Sequence, residues 1–198
     1  MTLADFAPWT IGRLAFVIAA IEALALLFGL LSMAYGRAFG RVYDILIGMG
    51  AILTAGLAML LFPEQRLIDE QFALIGFGLA LLGAFVAGLG SVLAATEAVS
   101  WFLAQLHVAA GYALIGLWLV LLNYWAGPAH IFPNRAVNMG LFAGAVMALG
   151  ATAIPGVLMR SEDESTAPWM SRYVGRAGNL GWLLLFPIWC LWLGLSRL

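Results

Sequence analysis

The chain has 198 residues, of which 64% are hydrophobic and 10% charged, and its mean hydropathy is +1.02. A soluble domain is about 45–50% apolar and about 25% charged, so this composition excludes a water-soluble globule and indicates an integral membrane protein. The net charge of -1 gives no indication of a nucleic-acid binder, whose basic residues are in excess and clustered. The nine basic residues are all Arg, which removes the lysine chemistry of Schiff bases and phosphate loops.

Six apolar runs, at 11–33, 42–62, 72–95, 101–125, 137–159 and 180–195, fall near the 17–25 residues that a spanning helix needs. The links between them are too short for a soluble domain, so the expectation is an all-α membrane protein. It is a single bundle of six transmembrane helices occupying 1–198. The first run is too long for the apolar region of a cleavable signal and has no basic residue before it, although Ser32-Met33-Ala34 imitates a cleavage box. It is expected to stay as the first span.

Glu22 lies near the middle of that first run, about 16 Å in at 1.5 Å per residue. A charge at such depth costs about 2.5–3.5 kcal/mol on insertion scales, and such residues face the bundle interior. Two readings stand: a carboxyl that binds a proton or ligand, or a protonated acid bonded to a neighbouring helix. Pro63 is expected to stop the second run.

Small residues let helix backbones approach in a bilayer. The third run carries Gly76, Ala80, Ala84 and Gly88 at every fourth position, with Gly83, Ala87 and Ser91 alongside. The fifth carries Gly140, Gly144, Ala148, Thr152 and Gly156 in an unbroken row of the same period. Helices three and five are therefore expected to be the tightly packed members.

The fourth run is bracketed by Trp101 and Trp125 and holds Gln105, His107 and Tyr112 without a charged residue. His107 enters from the side opposite the start of the first run, so Glu22 and His107 differ by only several ångströms in depth. A Glu22–His107 contact is compatible with this, and so is an ordinary interhelical histidine. Glu22, His107, Tyr112 and Gln105 are the candidate ligand-binding residues. The fourth link, taken from Asn123 to Asn138 with Asn123, His130, Asn134 and Arg135 among Gly127, Pro128 and Pro133, reads as a turn or as a cap over a cavity.

Pro155 and Pro187 predict kinks in the fifth and sixth helices, with the carbonyls of Ala151 and Leu183 released. In the last link, acidic RSEDE followed by basic SRYVGR fits either an interfacial segment or a solvated loop. Trp182, Trp189 and Trp192 form an aromatic stripe. Trp9, Trp101, Trp125 and Trp169 sit where runs meet links, as an interfacial belt does. Arginine placement favours both termini outside. Arg37, Arg41, Arg160, Arg172 and Arg176 lie on one side, and Arg13, Arg66, Arg135 and Arg197 on the other.

No catalytic constellation emerges. Bis-histidine haem lacks a second spanning histidine, and zinc lacks ligands at metal spacing. Gly88-Leu89-Gly90-Ser91 is not the GxSG of a membrane serine protease. No catalytic residue, metal or cofactor is assigned, and the balance leans away from an enzyme. Partners are expected to be the lipid bilayer and either other membrane subunits or a small hydrophobic ligand.

The second half, through GLWLVLLN at 116–123, the run 140–150, Pro155, GNLGW at 178–182 and PIWCLWLG at 187–194, resembles small uncharacterised bacterial six-helix membrane proteins. The resemblance covers roughly the last 90 residues. It implies six helices and a bacterial inner membrane, and brings no activity or functional residue.

Overall fold

A computed structural model describes residues 3–197; the side chains of residues 3–8 and of Arg176 lie outside the described set, as does the share of the arginine count resting on Arg176. The protein is an all-α bundle with six helices long and apolar enough to cross a membrane. Helices α1 (Leu3–Tyr35), α2 (Arg37–Arg66), α3 (Glu70–Ala95) and α4 (Trp101–Ala126) each form one span. The fifth span joins α5 (Asn134–Ala148), a 3-10 turn (Leu149–Ala153) and α6 (Ile154–Leu158). The sixth joins α7 (Trp169–Leu180), a π-helical segment (Gly181–Leu185) and α8 (Phe186–Ser196). Consecutive spans are neighbours, and α8 returns to α1 to close the ring.

Three boundaries differ from the sequence reading. Pro63 does not stop α2, which runs on to Arg66. A proline this close to a helix end removes one bond while the remaining turn still closes. The sixth helix begins at Trp169, so SRYVGR is helical and leads into the sixth span rather than forming a loop. Asn123, read as part of the fourth link, is buried in the last turns of α4. There its Nδ2 donates to Leu119 O at 2.8 Å, and its Oδ1 accepts from Trp189 Nε1 at 3.4 Å.

Both internal prolines change the helix type just before them. A proline lacks the N–H that would bond four residues back. Ahead of Pro155 the chain tightens into the 3-10 turn, and Ile154 N–H closes on Ala151 O. The Ala151 carbonyl is thus taken by backbone. Ahead of Pro187 the chain widens instead, and Phe186 N–H reaches Gly181 O.

The tight packing centres on α4, the most buried of the six spans. A methyl group placed on Gly83 of α3 would come 2.6 Å from Gly111 O of α4, and one on Gly144 of α5 would come 2.6 Å from Gly116 O of α4. Helices three and five are therefore close-packed because each abuts α4. Two details of the small-residue rows change. Gly88 meets nothing and opens on the surface. In the fifth span, the buried positions after Gly144 are Met147, Gly150, Ala153 and Gly156, spaced by three. The reason is the 3-10 turn, which has three residues per turn. Thr152 is half-buried and faces α7, its Oγ1 3.3 Å from Met170 O and its carbonyl accepting from Ser171 Oγ at 2.6 Å.

The core is aromatic at its centre: Tyr112, Trp118, Trp182, Phe186 and Trp189 are all fully buried. The Trp182–Trp189 part of the aromatic stripe is packing, while Trp192 is partly exposed, as are Trp9, Trp101 and Trp169 at the helix ends. Link geometry is economical. Gly36 alone joins α1 to α2, at φ 91, a left-handed conformation that favours glycine. Three other links turn on a left-handed residue that is not glycine: Glu97, His130 and Arg160. Each lies within a six-to-one bond, from Ala98 N to Leu93 O, Ile131 N to Ala126 O and Ser161 N to Gly156 O. The fourth link is thus a helix-capping turn.

Candidate functional site

Glu22 is fully buried at mid-depth on α1, and its partner is Tyr112 of α4. Tyr112 Oη donates toward Glu22 Oε1 at 2.8 Å and lies 3.1 Å from Ile47 O of α2. A phenol has one proton, so Tyr112 donates to only one of these two acceptors at a time. Glu22 Oε2 has no hydrogen-bond partner among the described residues. The carboxyl fits because Gly50 of α2 has no side chain: a methyl there would overlap Glu22 Oε1 and stand 3.2 Å from Tyr112 Oη. The Tyr112 ring is fixed by stacking on Trp182, with centroids 4.6 Å apart and planes at 16°. Four elements thus converge on one carboxyl.

His107 does not join this group. With its Nδ1 carrying the proton, it donates to Leu103 O of its own helix at 2.9 Å, and its Cβ packs where Gly90 of α3 leaves space. The candidate residue of α4 that meets α1 is Tyr112. Gln105 goes elsewhere again: its Nε2 donates to Asp44 Oδ1 of α2 at 3.1 Å.

Asp44 is the residue that the sequence reading passed over. It is 4% exposed, lies two residues inside the second apolar run, and also takes a hydrogen bond from the Trp101 side chain. The rule that singled out Glu22, an ionisable group inside a span, applies to it equally. Its neighbour Tyr43, also buried, lies within electrostatic reach of both Asp44 and Glu22. Buried polar groups therefore step inward from the α2 end of the bundle: Asp44 with Gln105, then Tyr43, then Glu22 with Tyr112.

Outside Asp44 the bundle opens into a cavity of about 440 Å³, with Arg37, Arg41 and Glu97 on its walls. Arg41 Nη2 donates to Glu97 Oε1 at 2.9 Å, and Arg37 Nη1 lies 3.6 Å from Oε2. The Arg41 hydrogen bond, with the charges of Arg37 and Arg41, holds the Glu97 carboxyl below the usual carboxylate range. At the opposite end, Arg197 forks onto Glu64, with Nη1–Oε1 at 2.9 Å and Nη2–Oε2 at 2.5 Å, and ties the last turn of the chain to α2.

Chemically, the buried site can hold a proton or a hydrogen-bonding group at Glu22. Among the described residues, no group of three or more His, Cys, Asp or Glu could hold a metal ion. No protein-family model matches the chain, and neither the curated proteins nor the solved structures contain a match to it.

Proposed function

We propose that this protein is a non-enzymatic multi-pass protein of a bacterial inner membrane, acting as an accessory or assembly subunit of a larger membrane complex. The observation that carries this reading is the way Glu22 is enclosed. Its carboxyl is filled around by Gly50, Tyr112 and Ile47, without space for one further methyl on the α2 side. A carboxyl used in this way locks α1, α2 and α4 together. The work left for the protein is then done through its outer surface, where large apolar residues such as Leu74, Ile75, Phe85 and Val92 of α3 are exposed.

The test is purification of the tagged chain from its own membrane in a mild detergent, followed by native mass spectrometry. A fixed-ratio assembly with another membrane protein is expected. A clean monomer under every detergent tried, with no change in any other membrane complex when the chain is deleted, would overturn the reading.

A second reading, a small-molecule or lipid binder with its polar site at Glu22, is favoured by one observation, the unpartnered Glu22 Oε2. It predicts a ligand retained by the wild-type chain and lost from Glu22→Leu.

A further inference from the structure

We infer that the end of the bundle where α1, α2 and α4 meet binds a phospholipid, with its phosphate on Arg37 and Arg41 and an acyl chain in the cleft behind Trp101. The inference rests on the membrane fold and on neither functional reading above.

Two cavities adjoin there. The polar one, of about 440 Å³, carries Arg37, Arg41, Asp44 and Glu97. The second, of about 220 Å³, is walled by Leu26, Leu30, Met33, Tyr43 and Leu183. Ser32, Gly40 and Trp101 line both, so the two share a neck. A molecule that fills both must be charged at one end and apolar at the other. The apolar cleft extends inward as far as Leu26, ten residues from Gly36, or about 15 Å along a helix, half the thickness of a hydrocarbon core. The polar cavity lies at the helix ends, at the level where head groups sit.

The charge pattern selects the head group. Two guanidinium groups share one exposed carboxylate, Glu97, while a second, Glu162, accepts from Ser100 N on the cavity wall at 3.4 Å. Each guanidinium has five N–H donors, and its planar fork matches phosphate. The Arg37 side chain is 88% exposed and keeps donors free for an incoming phosphate. Asp44, on the inner wall, is already held by Gln105 and Trp101 and marks the polar limit of the cavity.

The probe is palmitoyl-oleoyl phosphatidylglycerol, added to the delipidated chain in detergent, with the retained lipid counted by native mass spectrometry. One lipid is expected to stay on the wild type. Arg37→Gln with Arg41→Gln should weaken retention by about tenfold or more, the scale of a charge-assisted hydrogen bond. Gly40→Leu should weaken it by filling the neck. A methyl on Gly40 meets only Ser32 Cβ, at 3.8 Å, so the larger side chain grows into open space. Ser32→Val fills the same neck from α1 should Gly40→Leu fail to fold. Arg135→Gln, near the opposite helix ends, should change nothing. Equal retention in all variants would mean annular lipid and overturn the site. Displacement by glycerol 1-phosphate alone, with Gly40→Leu and Ser32→Val silent, would mean a free-phosphate site and overturn it too.

Discussion

Gly50 of α2 occupies the only position from which a side chain would strike both Glu22 and Tyr112 among the glycines of that helix. Gly50→Ala overpacks this point and should destabilise the bundle by about 1–3 kcal/mol. Gly40→Ala, ten residues earlier on the same helix, has room for its methyl and should be neutral or stabilising by about 0.5–1 kcal/mol. Reversible unfolding in mixed micelles compares the two. Equal losses would mean that Gly50 is not a matched socket.

Tyr112→Phe removes the one hydrogen bond that Glu22 makes to another helix among the described residues and should cost about 1–3 kcal/mol, because a buried carboxyl and the Ile47 carbonyl lose a shared partner. In a double-mutant cycle with Glu22→Leu, a coupling of about 0.6–1.7 kcal/mol is expected, the range found for polar contacts between spanning helices. His107→Phe paired with Glu22→Leu should show no coupling, since His107 bonds within its own helix.

The Glu97 ion pairs carry a pH dependence whose sign is fixed. The folded carboxyl lies below its ordinary range, so its contribution is complete above an ordinary carboxylate pKa of about 4.3 and is lost as pH falls through the lower folded value. Thermal melts of wild type and Glu97→Gln should therefore differ at neutral pH and converge in acid. Curves that stay parallel down to about pH 3, well below that reference value, would contradict the pairing.

The three-residue spacing in the fifth span can be read by substitution. Gly150→Ala would set a methyl 2.6 Å from Ala109 O and should destabilise by about 1–3 kcal/mol. Thr152→Ala, at a half-buried position, should cost about 1 kcal/mol or less, losing one neutral hydroxyl that serves Leu149 O at 2.8 Å and Met170 O of α7 at 3.3 Å without overpacking. The reverse ranking would restore the regular helix through Leu149–Ala153.

The six spans were legible because apolar length and link polarity are local properties of the chain. Pro155 and Pro187 were visible as kinks, yet not as one tightening and one widening, because the outcome depends on what packs against the freed turn. Glu22 stood out as a lone acid deep in a run. Its partner did not, since nothing on α4 marks Tyr112 over His107 until the rotation of the helices is known. Asp44 was legible in principle and obscured by its position near the start of the run. The α4-centred packing was hidden for a related reason: small-residue rows show which faces are smooth, and the choice of neighbour is made by the whole ring.

The single-residue link at Gly36 has a mechanical consequence. Ser32 and Gly40, one helical turn to either side of it, face each other at 3.8 Å for a Gly40 methyl, which places them at matched heights. Two helices joined this closely cannot slide past one another along the membrane normal. A bilayer that thins or thickens must therefore tilt α1 and α2 as one lever, and the Glu22 lock transmits that tilt to α4.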